Sequence, residues 1–334
     1  MGLKKEDVVA ISLGVVGVIF IIISLVIVFS AYPLQSTLNL HITEYTYNNI
    51  SKGVKTVFYY ITMLGEAFSY IAVLLALYYI WDKKKVFRIM VVLFSSTIIN
   101  SLFKYSFNLS RPPKEKWFYE MSNSPGFPSG HAQMNTTFWG AMSSVIKKYW
   151  FTALSVVIVL LVSLSRIILC VHWFTDILGG LGIGMVIISL FIFLGKPIEV
   201  WLKKQSKRTQ LMIVTILFLI YTLPVVFVVR DSDAMLEQLK FITLFATVVL
   251  SYIVEEEVIN FNSRTDRWWK AVIRVIIGAI VFFGTYFALK GLFGLIISAT
   301  KLTVAQISLD LLRYAILGPV AILLSPWIIM KLKI

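Results

Sequence analysis

The sequence predicts an all-α protein, a polytopic helical bundle in a membrane, on the basis of two observations. The first is composition: 58% of the 334 residues are hydrophobic, 14% are charged, and the mean hydropathy is +0.85. Soluble domains average about 25% charged residues, so this chain has too few to cover a water-soluble surface. The second is that apolar runs of about 20 residues, the length that crosses a hydrocarbon core, recur along the whole chain.

These runs predict ten membrane spans. The first, which follows MGLKKED, is too long for a signal-peptide core and lacks a small-x-small cleavage site, so we expect a retained helix. Acidic residues 255–257 interrupt the eighth span, and Asp310 and Arg313, which we expect to neutralise each other, interrupt the last. The predicted spans are 8–31, 57–81, 86–108, 131–147, 151–171, 174–195, 211–229, 239–259, 270–293 and 303–330.

The basic residues predict how the spans are oriented. The formal charge of +14 lies in short clusters between apolar runs, as in cytoplasmic loops, and forms no continuous basic face for nucleic acid. Placing both termini in the cytoplasm puts most clusters on the inner side. These clusters are Lys4 and Lys5; Lys83, Lys84, Lys85 and Arg88; Lys147 and Lys148; Lys196, Lys203, Lys204, Lys207 and Arg208; Arg264, Arg267, Lys270 and Arg274; Lys331 and Lys333.

This orientation brings the unusual polar residues to one depth, near the outer interface. Span three ends near Lys104, span four begins at His131, and spans five and six meet around His172. Charged groups at membrane depth are costly, so we expect them to face a shared polar cavity. They fall in three stretches: KYSFNLSRP (104–112), PSGH (128–131) and SRIILCVHWFTD (165–176).

The residue types in these stretches suit phosphate. Lys104, Arg111 and Arg166 supply three cations, enough to neutralise a phosphoryl group and the charge of its transition state. Ser129 adds a hydroxyl group. Gly130 permits close approach of a backbone N–H at a helix N-terminus, a position that favours anions.

Two histidines complete the set. His172 and Asp176 are four residues apart, so on a helix that includes both the carboxylate can hold one ring N–H and leave the other nitrogen free to attack. His131 is then available as the general acid for the leaving oxygen. The set therefore contains a nucleophile with its carboxylate, a general acid and a group of anion-binding residues. This combination predicts phosphoryl transfer.

The three stretches resemble the signature of the type-2 phosphatidic acid phosphatase (PAP2) superfamily: Lys-x6-Arg-Pro, then Pro-Ser-Gly-His, then Ser-Arg-x5-His-x3-Asp. The resemblance covers about residues 57–195 and implies a six-helix catalytic core, here with about four additional C-terminal helices. It also implies roles: His172 as nucleophile, Asp176 as its support and His131 as proton donor. The implied phosphate-binding residues are Lys104, Arg111, Ser129, Gly130 and Arg166. Ser165 is expected to be either a helix-packing residue or a lesser contact. No metal or cofactor is implied.

The expected domains are a first helix with an outer loop (1–56), the PAP2-like core (57–210) and an extension of unknown role (211–334). An outward-facing, interfacial site bordered by the basic and aromatic loop 113–127 favours a membrane lipid substrate. We expect metal-independent hydrolysis of a lipid phosphate or polyprenyl diphosphate in the cytoplasmic membrane, through a phosphohistidine. Two alternatives remain: a soluble phosphomonoester, because glucose-6-phosphatase shares the signature, and a lipid translocator or transporter with a vestigial site.

Other residues suggest structural roles. Four glycines after the third stretch, at 179, 180, 182 and 184, predict close packing of span six. Glu66, within span two, has no assigned role beyond an expected interhelical hydrogen bond. His41 is expected at a surface or interface. Cys170, the single cysteine, excludes an internal disulfide and is expected to act as a small apolar residue.

Overall fold

The computed structural model describes residues 4–29, 33–121, 124–265, 267–300 and 303–334, and these ranges contain helices and no β-strand. The all-α prediction is therefore confirmed. The helices are α1 (Lys5–Phe29), α2 (Pro33–Asn49), α3 (Lys52–Thr62), α4 (Ala67–Ile80), α5 (Lys83–Phe107), α6 (Gly130–Ile146), α7 (Tyr149–Ile168), α8 (Phe174–Lys203), α9 (Lys207–Val228), α10 (Ser232–Val254), α11 (Trp268–Thr300), α12 (Thr303–Pro319) and α13 (Ser325–Lys331).

The helices follow the predicted spans closely. Within the described ranges, seven stretches are long and apolar enough to cross a membrane, and α12 and α13 together form the last of them. An eighth candidate is broken: Lys52–Gly65 and Ala67–Ile80 meet at a bend of 48°. The two remaining predicted spans, 131–147 and 239–259, fall on α6 and α10, which are helical but are not among these candidates, so ten spans remain a prediction.

One predicted loop is helical. The outer loop expected before residue 57 contains α2, which carries too many polar residues to register as an apolar run. Two of them are buried by contacts with later parts of the chain: Asn39 donates to Thr175 Oγ1 at 3.1 Å, and Thr46 Oγ1 lies 3.3 Å from Cys170 Sγ. His41 is exposed on this helix, as expected.

The chain forms two compact units, Met1–Tyr70 with Ser95–Lys204, and Ile71–Phe94 with Gln205–Ile334. In the first unit, α8 packs along α1 and α6. A Cβ atom on Gly182 would approach the Gly17 carbonyl oxygen to 2.7 Å, and one on Gly180 would approach that of Ser129 to 2.6 Å. The glycines of α8 therefore allow the close packing that the sequence predicts.

In the second unit, several buried charges are paired. Lys83 Nζ lies 2.8 Å from Glu255 and 3.0 Å from Glu256, so a lysine counted above as a cytoplasmic orientation signal is 6% exposed and held in an ion pair. Arg313 and Asp310 pair at 2.7 Å, as the sequence suggests. The expected boundary near residue 210 remains a prediction, and residues 71–94 group with the C-terminal part of the chain.

Candidate active site

His172 and Asp176 meet at the turn between α7 and α8. The ring Nδ1 donates to Asp176 Oδ2 at 3.0 Å, and the same oxygen accepts the Trp173 backbone N–H at 3.0 Å. Because α8 begins at Phe174, His172 precedes the helix, so the pair forms across the N-terminal turn and not along a helical face. The carboxylate fixes the ring orientation and leaves a lone pair on Nε2.

That lone pair faces Arg111, in the loop after α5. Arg111 Nη1 donates to His172 Nε2 at 2.9 Å and to the Val171 carbonyl at 3.0 Å. The rest of the guanidinium is held by Ser124, through the backbone oxygen at 2.8 Å and the hydroxyl at 3.0 Å. Nε2, the ring nitrogen that does not contact Asp176, is therefore in contact with the Arg111 guanidinium.

The surroundings of His172 keep its ring neutral. Burial, the main cause, and nearby positive charges hold the pKa of His172 well below its ordinary value of 6.5. Those charges belong to Arg111, Lys104, Arg166 and His131. The second motif histidine and all three predicted cations thus lie close enough to His172 to act on the charge of its ring.

Lys104 and Arg166 are both buried and held by neutral groups. Lys104, in the last turn of α5, donates to the Pro125 carbonyl at 2.5 Å and the Gly126 carbonyl at 3.4 Å. Arg166, 0% exposed near the end of α7, donates to the Thr62 hydroxyl at 2.7 Å and the Tyr119 hydroxyl at 2.5 Å, and it contacts Met121 Sδ at 3.0 Å. Its Nε is buried without a hydrogen-bond partner in the described parts of the chain.

The PSGH stretch begins α6. Ser129 is the N-cap residue, and its hydroxyl accepts the Ala132 N–H at 3.5 Å. Its own N–H donates to the Asp176 carbonyl at 2.9 Å, which links the first turn of α6 to that of α8. Gly130 lies against Asn100, which donates to the Pro128 carbonyl at 3.3 Å. A helix N-terminus therefore lies beside the His172–Asp176 pair.

His131, the second residue of α6, lies next to Glu66 at the break between α3 and α4. His131 Nε2 is 3.3 Å from Glu66 Oε1, which is ion-pair distance, although the ring N–H is not aligned for a hydrogen bond. The interhelical contact expected for Glu66 therefore exists as an ion-pair contact, and its partner is a motif histidine.

Sequence reasoning missed several neighbours of the site. Thr62, Tyr119 and Met121 contact Arg166, although none of them belongs to a motif. Glu66 carried a signal, since it is a carboxylate in an apolar run, but nothing in the sequence indicates its partner. Two residues of the third motif stretch have other contacts: the hydroxyl of Ser165 donates to the Val162 carbonyl at 2.6 Å, and Cys170 is buried against Thr46.

Comparison with protein families gives two matches. Residues 85–196 match the PAP2 superfamily, and residues 239–334 match a model described as PAP2 superfamily phosphatase, transmembrane extension. The first segment includes all three motif stretches. The second covers most of the C-terminal extension that the sequence left without an interpretation.

Solved structures include similar chains. One is a transmembrane PAP2-type phosphatidylglycerolphosphate phosphatase from Bacillus subtilis, with 22% identity and a TM-score of 0.46, covering 59% of this chain and 98% of that one. Another is LpxE from Aquifex aeolicus, with 20% identity and a TM-score of 0.41, covering 47% and 94%. The comparison with curated proteins gives no match.

The two family matches together account for well over half of the chain. They agree with the motifs, with the all-α architecture and with the recurrence of helices long enough to cross a bilayer. The chain belongs to the PAP2 superfamily and is an integral membrane phosphatase.

Proposed function

We propose that this phosphatase hydrolyses a lipid phosphate or lipid diphosphate through a covalent phosphohistidine on His172, without a metal ion. The observation that carries the proposal is the orientation of one ring. Asp176 holds Nδ1 at 3.0 Å, and Nε2 is directed at the Arg111 guanidinium, 2.9 Å away. A neutral imidazole held in this way has its nucleophilic lone pair directed toward a group that binds phosphate.

The reaction has two steps. When the substrate binds, Arg111 gives up its hydrogen bond to His172 and donates to the phosphate oxygens instead. Nε2 then attacks phosphorus, the bond to the leaving oxygen breaks, and that oxygen takes a proton from His131. In the second step water attacks the phosphohistidine and gives a proton to His131. Orthophosphate leaves, and both histidines return to their starting states.

The cations favour this reaction because they are not neutralised locally. Lys104 and Arg166 donate to carbonyl and hydroxyl oxygens, and the unsatisfied Nε of Arg166 is a buried donor without a partner among the described residues. A phosphate dianion would supply acceptors that carry charge, which strengthens each hydrogen bond. The N-terminus of α6, with Gly130 and the Ser129 hydroxyl, would add dipolar stabilisation.

A lipid substrate fits the surroundings of the site. The loop before PSGH carries Trp117, whose indole donates to the Pro112 carbonyl at 2.8 Å, and Lys114 lies 6.0 Å from the centre of that ring. Aromatic and basic residues together are typical of the headgroup boundary. The distribution of lysine and arginine supports an outward-facing site with both termini in the cytoplasm.

The test is phosphate release by purified full-length protein in detergent micelles containing phosphatidate or a polyprenyl diphosphate, with a sugar phosphate in parallel. We expect His172→Ala to lose at least about 10³-fold in kcat/KM. His41→Ala, which removes an exposed histidine of α2, is the matched control and should retain activity. Wild-type turnover should persist with a chelator and yield an acid-labile phosphoenzyme.

Each arm has an outcome that contradicts the proposal. Full activity in His172→Ala would rule out the histidine mechanism. Turnover lost to the chelator and restored by magnesium would rule out metal independence. Preference for the sugar phosphate would favour a soluble substrate, and absence of hydrolysis with any substrate would favour a translocator.

A further inference from the structure

We propose that Glu66 is a positioning residue for His131, so that the site contains a second histidine–carboxylate pair dedicated to the proton donor. This inference rests on the proposed function, because it assigns a role to a group that acts on the proton donor of that reaction. The juxtaposition that carries it is the 3.3 Å separation between Glu66 Oε1 and His131 Nε2.

The broken span accounts for the position of Glu66. The chain leaves α3 through a 3₁₀ turn at Met63–Gly65, and Glu66 itself is extended, with φ −80° and ψ 148°. The Met63 carbonyl accepts the Glu66 N–H at 3.2 Å and the Ser69 hydroxyl at 2.7 Å, so this backbone acceptor stays bonded at the break. Irregular backbone at membrane depth is tolerated where it is buried in protein or lines a polar cavity.

Contacts around the break connect it to the site on two sides. A Cβ atom on Gly65 would lie 2.7 Å from His131 Cδ2 and 2.7 Å from Asn135 Nδ2, so only glycine permits this close approach of backbone to ring. Thr62, one turn earlier, accepts a hydrogen bond from Arg166 at 2.7 Å. The segment Thr62–Glu66 therefore contacts both the proton donor and a predicted phosphate-binding cation.

The charges that act on His131 indicate a function for Glu66. Arg166, from α7, and Arg111, from the loop after α5, are positive charges close enough to act on His131, and they would repel the positive charge of a protonated ring. A general acid must carry its proton when the substrate arrives. Asp176 is already bonded to His172, so a second carboxylate is needed, and Glu66 is the one in contact with His131.

In this arrangement Glu66 does not exchange protons with the substrate. His131 gives its proton to the leaving oxygen in the first step and recovers one from water in the second. Glu66 stabilises the charged ring before the first step and after the second, and it keeps the ring in the same orientation throughout. Besides His131, the charged or titratable groups that act on Glu66 are Arg166 and, on its own helix segment, Tyr70.

The test compares Glu66→Gln and Glu66→Asp with the wild type, using the substrate that the wild type hydrolyses. Glu44→Gln, which removes an exposed carboxylate of α2, is the matched control. For Glu66→Gln we expect kcat to fall by about 10- to 100-fold, a fraction of what a general acid contributes, while KM changes by less than about threefold. Glu66→Asp should recover part of the loss.

Two further readouts separate positioning from a structural role. The basic limb of the kcat–pH profile should move to lower pH in Glu66→Gln, because the protonated ring loses its carboxylate partner. The loss should also shrink on a nitrophenyl phosphate, because that leaving group departs without a proton. Wild-type kcat and an unshifted profile in Glu66→Gln would overturn the inference, and so would an equal loss on both substrates accompanied by a lower melting temperature.

These outcomes are distinguishable from failure of the proposed function. If His172→Ala is inactive and Glu66→Gln behaves as wild type, the phosphohistidine mechanism stands and the role of Glu66 is wrong. If His172→Ala is fully active, the mechanism itself fails.

Discussion

The two units of the protein differ in the groups that contact their buried and partly buried cations. In the second unit, Lys83, Lys240 and Arg313 each lie within 3.2 Å of a carboxylate oxygen, and their partners are Glu255, Glu256, Glu237 and Asp310. In the first unit, Lys104, Arg111 and Arg166 donate to carbonyls, hydroxyls, sulfur and a ring nitrogen. In the described part of that unit, no carboxylate forms an ion pair with these three residues.

Arg274 is the exception in the second unit. It is 8% exposed and donates to main-chain oxygens of Tyr79, Asn262, Ser263 and Ile334, and its guanidinium lies 5.3 Å from the centre of the Phe261 ring. Its donors are spread over these carbonyls, which join separate segments of the unit. Arg274 therefore has contacts typical of a structural arginine.

This difference indicates which positive charges are available to bind an anionic ligand. A buried ion pair whose members balance each other holds helices together but has no charge left for an anion. Lys104 and Arg166 are buried and Arg111 is partly buried. All three are held by neutral groups and keep an uncompensated positive charge, which is costly in a membrane protein and typical of a functional site. The carboxylates of the first unit that lie nearest, Asp176 and Glu66, contact the two histidines instead.

The largest effect that tests this comparison is expected on stability in the second unit. Lys83→Met leaves Glu255, 0% exposed, without its cation, and should lower the free energy of unfolding in detergent by about 3–5 kcal/mol. The double variant Lys83→Met/Glu255→Met should recover most of that loss. Catalytic activity per folded molecule should stay near wild type, and a loss of activity at unchanged stability would break the comparison.

The matched change in the first unit is Arg166→Met. It removes an uncompensated cation at similar volume, so stability should be retained while kcat/KM falls by about 10²- to 10³-fold, equivalent to about 2.7–4 kcal/mol. Arg166→Lys should recover only part of the activity, because lysine cannot reproduce the planar fork. Arg264→Met, at a guanidinium that is 75% exposed, is the control and should change neither property appreciably. Wild-type kcat/KM in Arg166→Met would contradict the proposal that the uncompensated charge of Arg166 serves catalysis.

The smallest effect concerns the protonation of His172. Its pKa is lowered by burial and by neighbouring cations, so the ring should remain neutral, with the proton on Nδ1, as the pH falls to 6.5. It should become charged only below that pH, and the attacking nitrogen is lost there. Nitrogen NMR of labelled histidine can measure this, because the chain has three histidines and single substitutions assign them.

The variant Arg111→Met provides a second test by the same NMR measurement of His172 protonation. It removes the cation that donates to His172 Nε2, so the pKa of His172 should rise toward its ordinary value. A His172 ring that is already an imidazolium at pH 6.5 in the wild-type protein would contradict the description of the site.

The sequence predicted the features that depend on local pattern. Apolar runs locate the helices because a membrane span must satisfy its backbone groups within its own segment, so length and hydropathy suffice. The motif residues around His172 could be named in advance because each stretch places its chemistry within a few residues. The packing of α8 could also be anticipated, because the glycines that permit it lie within six residues of one another in the sequence.

The sequence by itself thus determined the membrane-spanning α-helical class, the phosphatase family and the candidate site residues. Tertiary structure alone decided what contacts them: Glu66 at His131, Thr62 and Tyr119 at Arg166, and Glu255 at Lys83. It also buries a polar side chain of α2, because Asn39 donates a hydrogen bond to Thr175. The physical reason is that these contacts join residues tens to more than a hundred positions apart, and no local pattern of hydropathy or spacing specifies which distant groups meet.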